Sequence, residues 1–163
     1  MDHLENIKVS FHDNGNLKSR SLSSRDNDIG YACEWYDNGK IKRRFNRNMS
    51  IVISKSWNID GKKVRKISKH IYNNGLIPDG EQCCWWDNGK KHTIENYQNG
   101  KLNGRNASWS EKGKLITECE FIDNNINGKF IRHNDNFGHL EANYSHGYLD
   151  GALKVYNDLG EKI

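Results

Sequence analysis

The sequence predicts an all-β protein, an elongated antiparallel meander of about seven stacked β-hairpins, and three features carry that prediction. A ring, turn residues and a glycine recur along the 163 residues as FHDNG, WYDNG, WNIDG, WWDNG, WSEKG, HNDNFG and YNDLG, ending at Gly15, Gly39, Gly61, Gly89, Gly113, Gly138 and Gly160. Recurrence at a fixed spacing of about 20 to 50 residues marks an array of one supersecondary unit. Ten of the fifteen glycines follow Asn or Asp, and such a pair between short alternating runs is the strongest local signal for a hairpin. Between these breakers no window sustains apolar residues at i, i+3, i+4 and i+7, so nothing argues for a helix.

The chain reads as one domain, 1–163, with units at 5–29, 30–49, 50–75, 76–99, 100–123, 124–146 and 147–163. Each unit should run from a glycine through a strand of about six residues, a two-residue turn, a second strand and a looser return. Gly30, Gly80, Gly104, Gly128 and Gly151 open five of the units, and five residues after each stands Trp35, Trp85, Trp109, His133 or Tyr156. The first and third units lack that glycine and place Phe11 and Trp57 four residues before their turn glycine. Stacked hairpins would align these seven rings as one structural ladder. A second ring per unit (Phe45, Tyr97, Phe121 and Tyr144) falls on the second strands, where it can share that face. Two places strain the frame: HIYNNGLIPDG, with the only proline, should bulge out between Tyr72 and Gly80, and the sixth unit carries an inserted residue near Phe137.

Composition bounds the core. Only 34% of the residues are hydrophobic and the mean hydropathy is strongly negative, so a thick core is excluded. Five Trp and seven Tyr argue equally against disorder. Cys33, Cys83, Cys84 and Cys119 form no CxxC pair, and adjacent Cys83 and Cys84 would point to opposite faces of a strand. They read as four reduced thiols, two of them buried as small hydrophobes, and no metal site is expected. The opening MDHLENIKVS lacks the apolar run of a signal peptide, and no stretch is apolar enough to span a membrane. The expectation is a cytoplasmic chain, or one in a virion or host cytoplasm if viral. Sequons at Asn48, Asn106 and Asn143 would then be chance products of an Asn-rich sequence.

The segment from Gly80 to Gly128, with WWDNGKKHTIENYQNGKLNG and WSEKGKLITECEFIDNNING, resembles the MORN repeat in the variant form found in bacterial YwqK-type proteins named as antitoxins. Similar arrays occur in giant DNA viruses and protists. The resemblance implies a meander of MORN-like hairpins acting as a scaffold, with roles in protein binding, dimerisation or contact with phospholipids, and it implies no enzyme.

Charge is unevenly placed. Residues 40–69 hold eleven Lys or Arg against Asp60 alone, a net of +10, while the remainder nets −6 and the whole chain +4. The runs KIKRRFNR and GKKVRKISK follow successive turns, so Lys42, Arg43, Arg44, Lys62, Lys63, Arg65 and Lys66 should lie on neighbouring second strands as one cationic patch. Such a patch either attracts phosphate or carboxylate surfaces or keeps a sheet edge solvated. Trp35, Trp57, Trp85 and Trp109 either fill the core or grip a partner. Tyr36 and Trp86, each adjacent to a ladder ring, should face the other way and offer a contact surface. The seven histidines recur in no metal-ligand spacing, and GxSxG, HExxH and phosphate-loop motifs are lacking. No catalytic residue, cofactor or small-molecule substrate is expected. The function expected is a non-enzymatic scaffold for protein–protein interaction or assembly, through another protein or self-association. Alternatives are an antitoxin-like neutraliser, a virus-particle component, and a binder of anionic lipid or nucleic acid.

Overall fold

The structure is a computed structural model that describes residues 4–25, 29–72, 75–134 and 138–163. It is all-β, an antiparallel meander as the turn spacing predicts. The inserted residue near Phe137 lies outside the described residues.

One compact unit consists of the chain up to Pro78 with Trp85–Gly89, the other of Asp79–Cys84 with Lys90–Ile163. The first holds β1 (Leu4–Phe11), β2 (Leu17–Ser24), β3 (Ile29–Trp35), β4 (Ile41–Asn48), β5 (Ile51–Trp57), β6 (Lys63–Tyr72) and β7 (Gly75–Pro78). Each pairs antiparallel with its successor. The second holds β8 (Gly80–Trp85) up to Cys84, then β9 (Lys91–Gln98), β10 (Lys101–Leu102), β11 (Gly104–Trp109), β12 (Leu115–Ile122), β13 (Asn125–Asn134), β14 (Gly138–Ser145), β15 (Tyr148–Leu149) and β16 (Lys154–Tyr156). There β9 carries β10 and β11, the meander continues through β12 and β13 to β14, and β15 and β16 both pair with β14.

The two kinds of turn are distributed opposite to expectation. At the WYDNG type of sequence the loop has three residues. The Tyr36 N–H donates to the Lys40 carbonyl at 2.8 Å and the Gly39 N–H to the Tyr36 carbonyl at 2.9 Å, with Gly39 at φ 79°. The same pair of bonds closes the turns at 12–16, 58–62, 110–114 and 157–161. A glycine in the left-handed region after a turn adds one residue to the returning strand as a bulge. Lys18, Lys42, Val64 and Ile116 are those extra residues, each set where the register shifts beside Phe11, Trp35, Trp57 or Trp109. The two-residue turns lie in the returns instead, at Asn99–Gly100, Asp123–Asn124 and His146–Gly147, where both residues have positive φ. The segment HIYNNGLIPDG also differs from the loop expected: β7 folds back on β6, pairing Tyr72 with Gly75 and Lys69 with Pro78.

Among the described residues the buried hydrophobic ones are Cys33, Val52, Cys83, Ile94, Ala107, Cys119 and Ala142, and Ser24 is the buried polar one. Three thiols are buried where the sequence suggested two, and Trp35, Trp57, Trp85 and Trp109 are only half-buried. A single layer of sheet explains this. Cys33 is flanked in register by the long-stemmed Arg20 and Arg44 and is 1% exposed. Small residues fit beneath such stems, and large rings lie across their neighbours instead.

Candidate interaction surfaces

Register assigns each ladder ring to a face. In the first unit Phe11, Trp35 and Trp57 share a face with Cys33, and Leu17, Ile41 and Lys63 stand opposite them on the partner strands. In the second unit Trp109, His133 and Tyr156 share a face with Ala107. His139, which the repeat pattern did not single out, stands between the last two rings: its ring lies 5.2 Å from His133 and stacks on Tyr156 at 4.6 Å. Cations interleave with the tryptophans. The Lys63 ammonium lies 5.2 Å from the Trp85 ring centre, and Lys91 and Arg105 each lie 5.9 Å from that of Trp109. The second ring set does not share this face. Phe45 pairs with Ala32 and Phe121 with Gly104, each an odd number of positions from the ladder ring of its strand. Phe130 and Tyr144 meet edge to face at 5.9 Å on that other side.

Tyr36 departs from its expected role. The bulge ends regular alternation at Trp35, so Tyr36 is the first turn residue rather than the next strand residue. Its half-buried ring lies beneath the Lys42 ammonium at 5.6 Å, and its hydroxyl donates to the Trp57 carbonyl at 3.0 Å. In the preceding hairpin the His12 ring does the same, its Nε2 3.0 Å from the Trp35 carbonyl. These side chains lock one hairpin to the next. Trp86 occupies the matching turn position, its carbonyl accepting the Gly89 N–H at 2.8 Å.

The Lys of the NGK strings has a related use. The Lys40 stem passes 3.9 Å from where a Cβ on Gly61 would stand, Lys62 stands at 3.7 Å from that of Gly89, and Lys90 at 3.3 Å from that of Gly113. Lys62 therefore belongs to the stacking of turns and not to a strand face.

The single cationic patch is not formed. Strand β5 separates β4 from β6, and alternation sends neighbouring cations to opposite sides. Arg44, Lys55 and Lys66 lie in one register row on the face of Cys33, joined by Arg20 of β2. Arg43 and Arg65 lie in another row on the opposite face, where Arg43 is bonded to Glu34 at 2.9 Å. Lys63 is drawn to Trp85. The Arg44 guanidinium is held above its usual pKa, chiefly by its hydrogen bond to the Cys33 thiol and then by Tyr31. Tyr31 is itself raised, first by the 2.7 Å contact of its hydroxyl with Cys33 Sγ.

The second unit pairs several of its charges. Arg105 bonds Glu118 at 2.5 Å and Lys129 bonds Glu141 at 2.8 Å, with His139 3.9 Å from the same carboxylate. The bond from Lys129 pulls the Glu141 pKa down. Burial, then His139 and Lys114, push that of His133 down. Among the described residues no group of three or more His, Cys, Asp and Glu side chains is placed to hold a metal ion.

No curated protein matches the chain in sequence. Residues 78–99, which take in β8, its turn and β9, match the family described as the MORN repeat variant, and this segment is a repeat of that kind.

Proposed function

We propose that the chain is a non-enzymatic repeat scaffold that binds another protein, or a second copy of itself, by strand addition at β1. The observation that carries this reading is the outer row of that strand. Ile7, Val9 and Phe11 alternate onto one face and are 60%, 48% and 62% exposed, while among the described residues β1 pairs with β2 alone. An apolar strand with one set of backbone groups unpaired is a template for another strand. The match to the MORN repeat variant supports the scaffold reading, since that repeat is commonly used to bind proteins or membranes. The test places Lys at Ile7 and Val9 together. Wild-type protein should either sediment as a concentration-dependent dimer or capture a stoichiometric partner from its native source, and the double variant, folded by circular dichroism, should do neither. Equal behaviour of the two proteins in both measurements would rule this surface out.

A further inference from the structure

The Asn–Gly pairs that mark the turns are also positions where a protein chain can modify itself, and this chemistry is independent of the protein-binding reading. The backbone nitrogen of the glycine can attack the Cγ of the asparagine before it, because glycine has no side chain to block the approach. The attack needs two freedoms: the glycine N–H must be able to give up its proton, and the asparagine amide must be able to turn. Among the described residues Asn14, Asn38, Asn88, Asn99, Asn103 and Asn127 precede a glycine. Five of them are held. The N–H groups of Gly15, Gly39 and Gly89 donate to the carbonyls of His12, Tyr36 and Trp86 at 2.9, 2.9 and 2.8 Å. The Asn14 amide is tied at both ends, Oδ1 accepting the Asn16 N–H at 3.0 Å and Nδ2 donating to the Asp37 carbonyl at 2.9 Å. Asn38 Oδ1 accepts the Lys40 N–H at 3.0 Å. Gly104 and Gly128 lie within β11 and β13, paired with Phe121 and Tyr144. Asn99 differs. It is exposed in the two-residue turn between β9 and β10, at φ 51°, with Gly100 at φ 82°. Its own N–H donates to Asp79 Oδ1 at 3.0 Å, but among the described residues neither its side-chain amide nor the Gly100 N–H makes a hydrogen bond.

We propose that Asn99 is a site of spontaneous deamidation in the folded chain, and that the product loosens the turn between β9 and β10. The Gly100 nitrogen loses its proton to solvent and bonds to Asn99 Cγ, the Cγ–Nδ2 bond breaks, and Nδ2 leaves as ammonia with a proton taken from water. Water then adds to one of the two carbonyls of the cyclic imide and opens it to aspartate or isoaspartate; nothing is oxidised or reduced. Either product is an anion on the residue whose N–H the Asp79 carboxylate accepts, and like charges this near repel. Isoaspartate also adds a methylene to the main chain of a turn whose length sets the register of Gln98 with Lys101.

The experiment holds the whole chain in mildly alkaline buffer at physiological temperature, once folded and once unfolded in guanidinium chloride. Each Asn–Gly peptide is followed by mass spectrometry after trypsin, with isoaspartate resolved from aspartate by chromatography. A hydrogen bond that must open first slows the attack about 2- to 10-fold, and Asn14 and Asn38 must each open more than one. In the folded chain Asn99 should therefore convert about tenfold faster than Asn14 or Asn38, and in guanidinium chloride the three rates should converge. The converted chain, separated by ion exchange, should melt at a lower temperature than the unconverted one. The proposal is overturned if Asn14 or Asn38 converts as fast as Asn99 in the folded chain, if Asn99 converts only when unfolded, if the spread of rates persists after unfolding, or if converted and unconverted chains melt alike.

Discussion

Replacing Gly138 by Ala tests how the last ring of the ladder is held. Gly138 opens β14 at φ 87°, and a Cβ there would overlap the Tyr156 carbonyl oxygen and the Asn157 carbonyl group, which are backbone atoms that cannot step aside alone. Two costs separate cleanly. Gly128, in the same unit, has φ 83° with nothing within 4 Å of its Cβ position, so Gly128→Ala measures the left-handed backbone cost, about 1–2 kcal/mol. Gly138→Ala adds the displacement of β16. That strand is held by three register pairs, His139 with Tyr156, Leu140 with Val155 and Glu141 with Lys154, at about 0.2–1 kcal/mol each, and by the His139–Tyr156 stack, about 0.5–1.5 kcal/mol. The added loss is therefore about 2–3 kcal/mol. Urea unfolding followed by circular dichroism should show the midpoint of Gly138→Ala below that of Gly128→Ala by about 1 M, for an m-value of about 2–3 kcal/mol/M. Equal midpoints would refute the reasoning, because they would mean that β16 does not need its close approach to Gly138.

Two further outcomes are expected. Tyr36→Phe removes the hydroxyl that donates to the Trp57 carbonyl and should lower stability by about 0.5–1.5 kcal/mol without changing the circular dichroism spectrum; an unchanged thermal midpoint would mean that the turn-to-turn bond is not formed in solution. Acidification should weaken the second unit in two steps, both of the same sign. The folded pKa of His133 lies below its ordinary value of 6.5, so its contribution is complete above about pH 6.5 and is lost as pH falls below it. Glu141 is likewise lowered, mainly by Lys129, and its contribution is lost as pH falls below the ordinary carboxylate range. Thermal unfolding from neutral to acid pH should show both steps, and His133→Gln should erase only the upper one.

The fold was legible because it rests on local rules. Asn-Gly and Asp-Gly pairs mark the turns, ring spacing marks the strand ends, and pairing of each strand with its successor follows from short connections. Misreadings arose where one residue changes everything. The string WYDNG reads as a two-residue turn, yet Asp37–Asn38–Gly39 form a three-residue loop. The extra residue becomes the bulge at Lys42, removes Tyr36 from the strand and gives it to the next hairpin as a hydroxyl donor. A patch of basic residues counted along the chain ignores alternation, which puts Arg43 beside Glu34 and Arg44 beside Cys33 on opposite sides. His139 was missed because it entered the ring row from a second strand, at a position the glycine frame does not mark. Strand parity applied after the bulge, rather than before it, would have found these placements.

A single-layer sheet must cover two faces with its own side chains, and that requirement connects the fold to its surfaces. An interior strand has a neighbour on each side to cover it: Arg20 and Arg44 flank Cys33 in register from β2 and β4, and Tyr36 reaches from one turn to the ring strand of the next. A strand with one neighbour receives half of that cover. Val9 stands in the same row as Cys33, yet it is 48% exposed against 1%. Phe11 stands in the row of Trp35 and Trp57, which are half-buried, and is 62% exposed. Among the described residues the apolar face of β1 thus continues the core row of the array with a neighbour on one side, and a strand that supplied long side chains over Val9 and a turn residue over Phe11 would complete it. On the proposed reading, a partner at this edge would be an extended segment with a long or basic side chain opposite Val9 and a ring or hydroxyl donor one turn beyond.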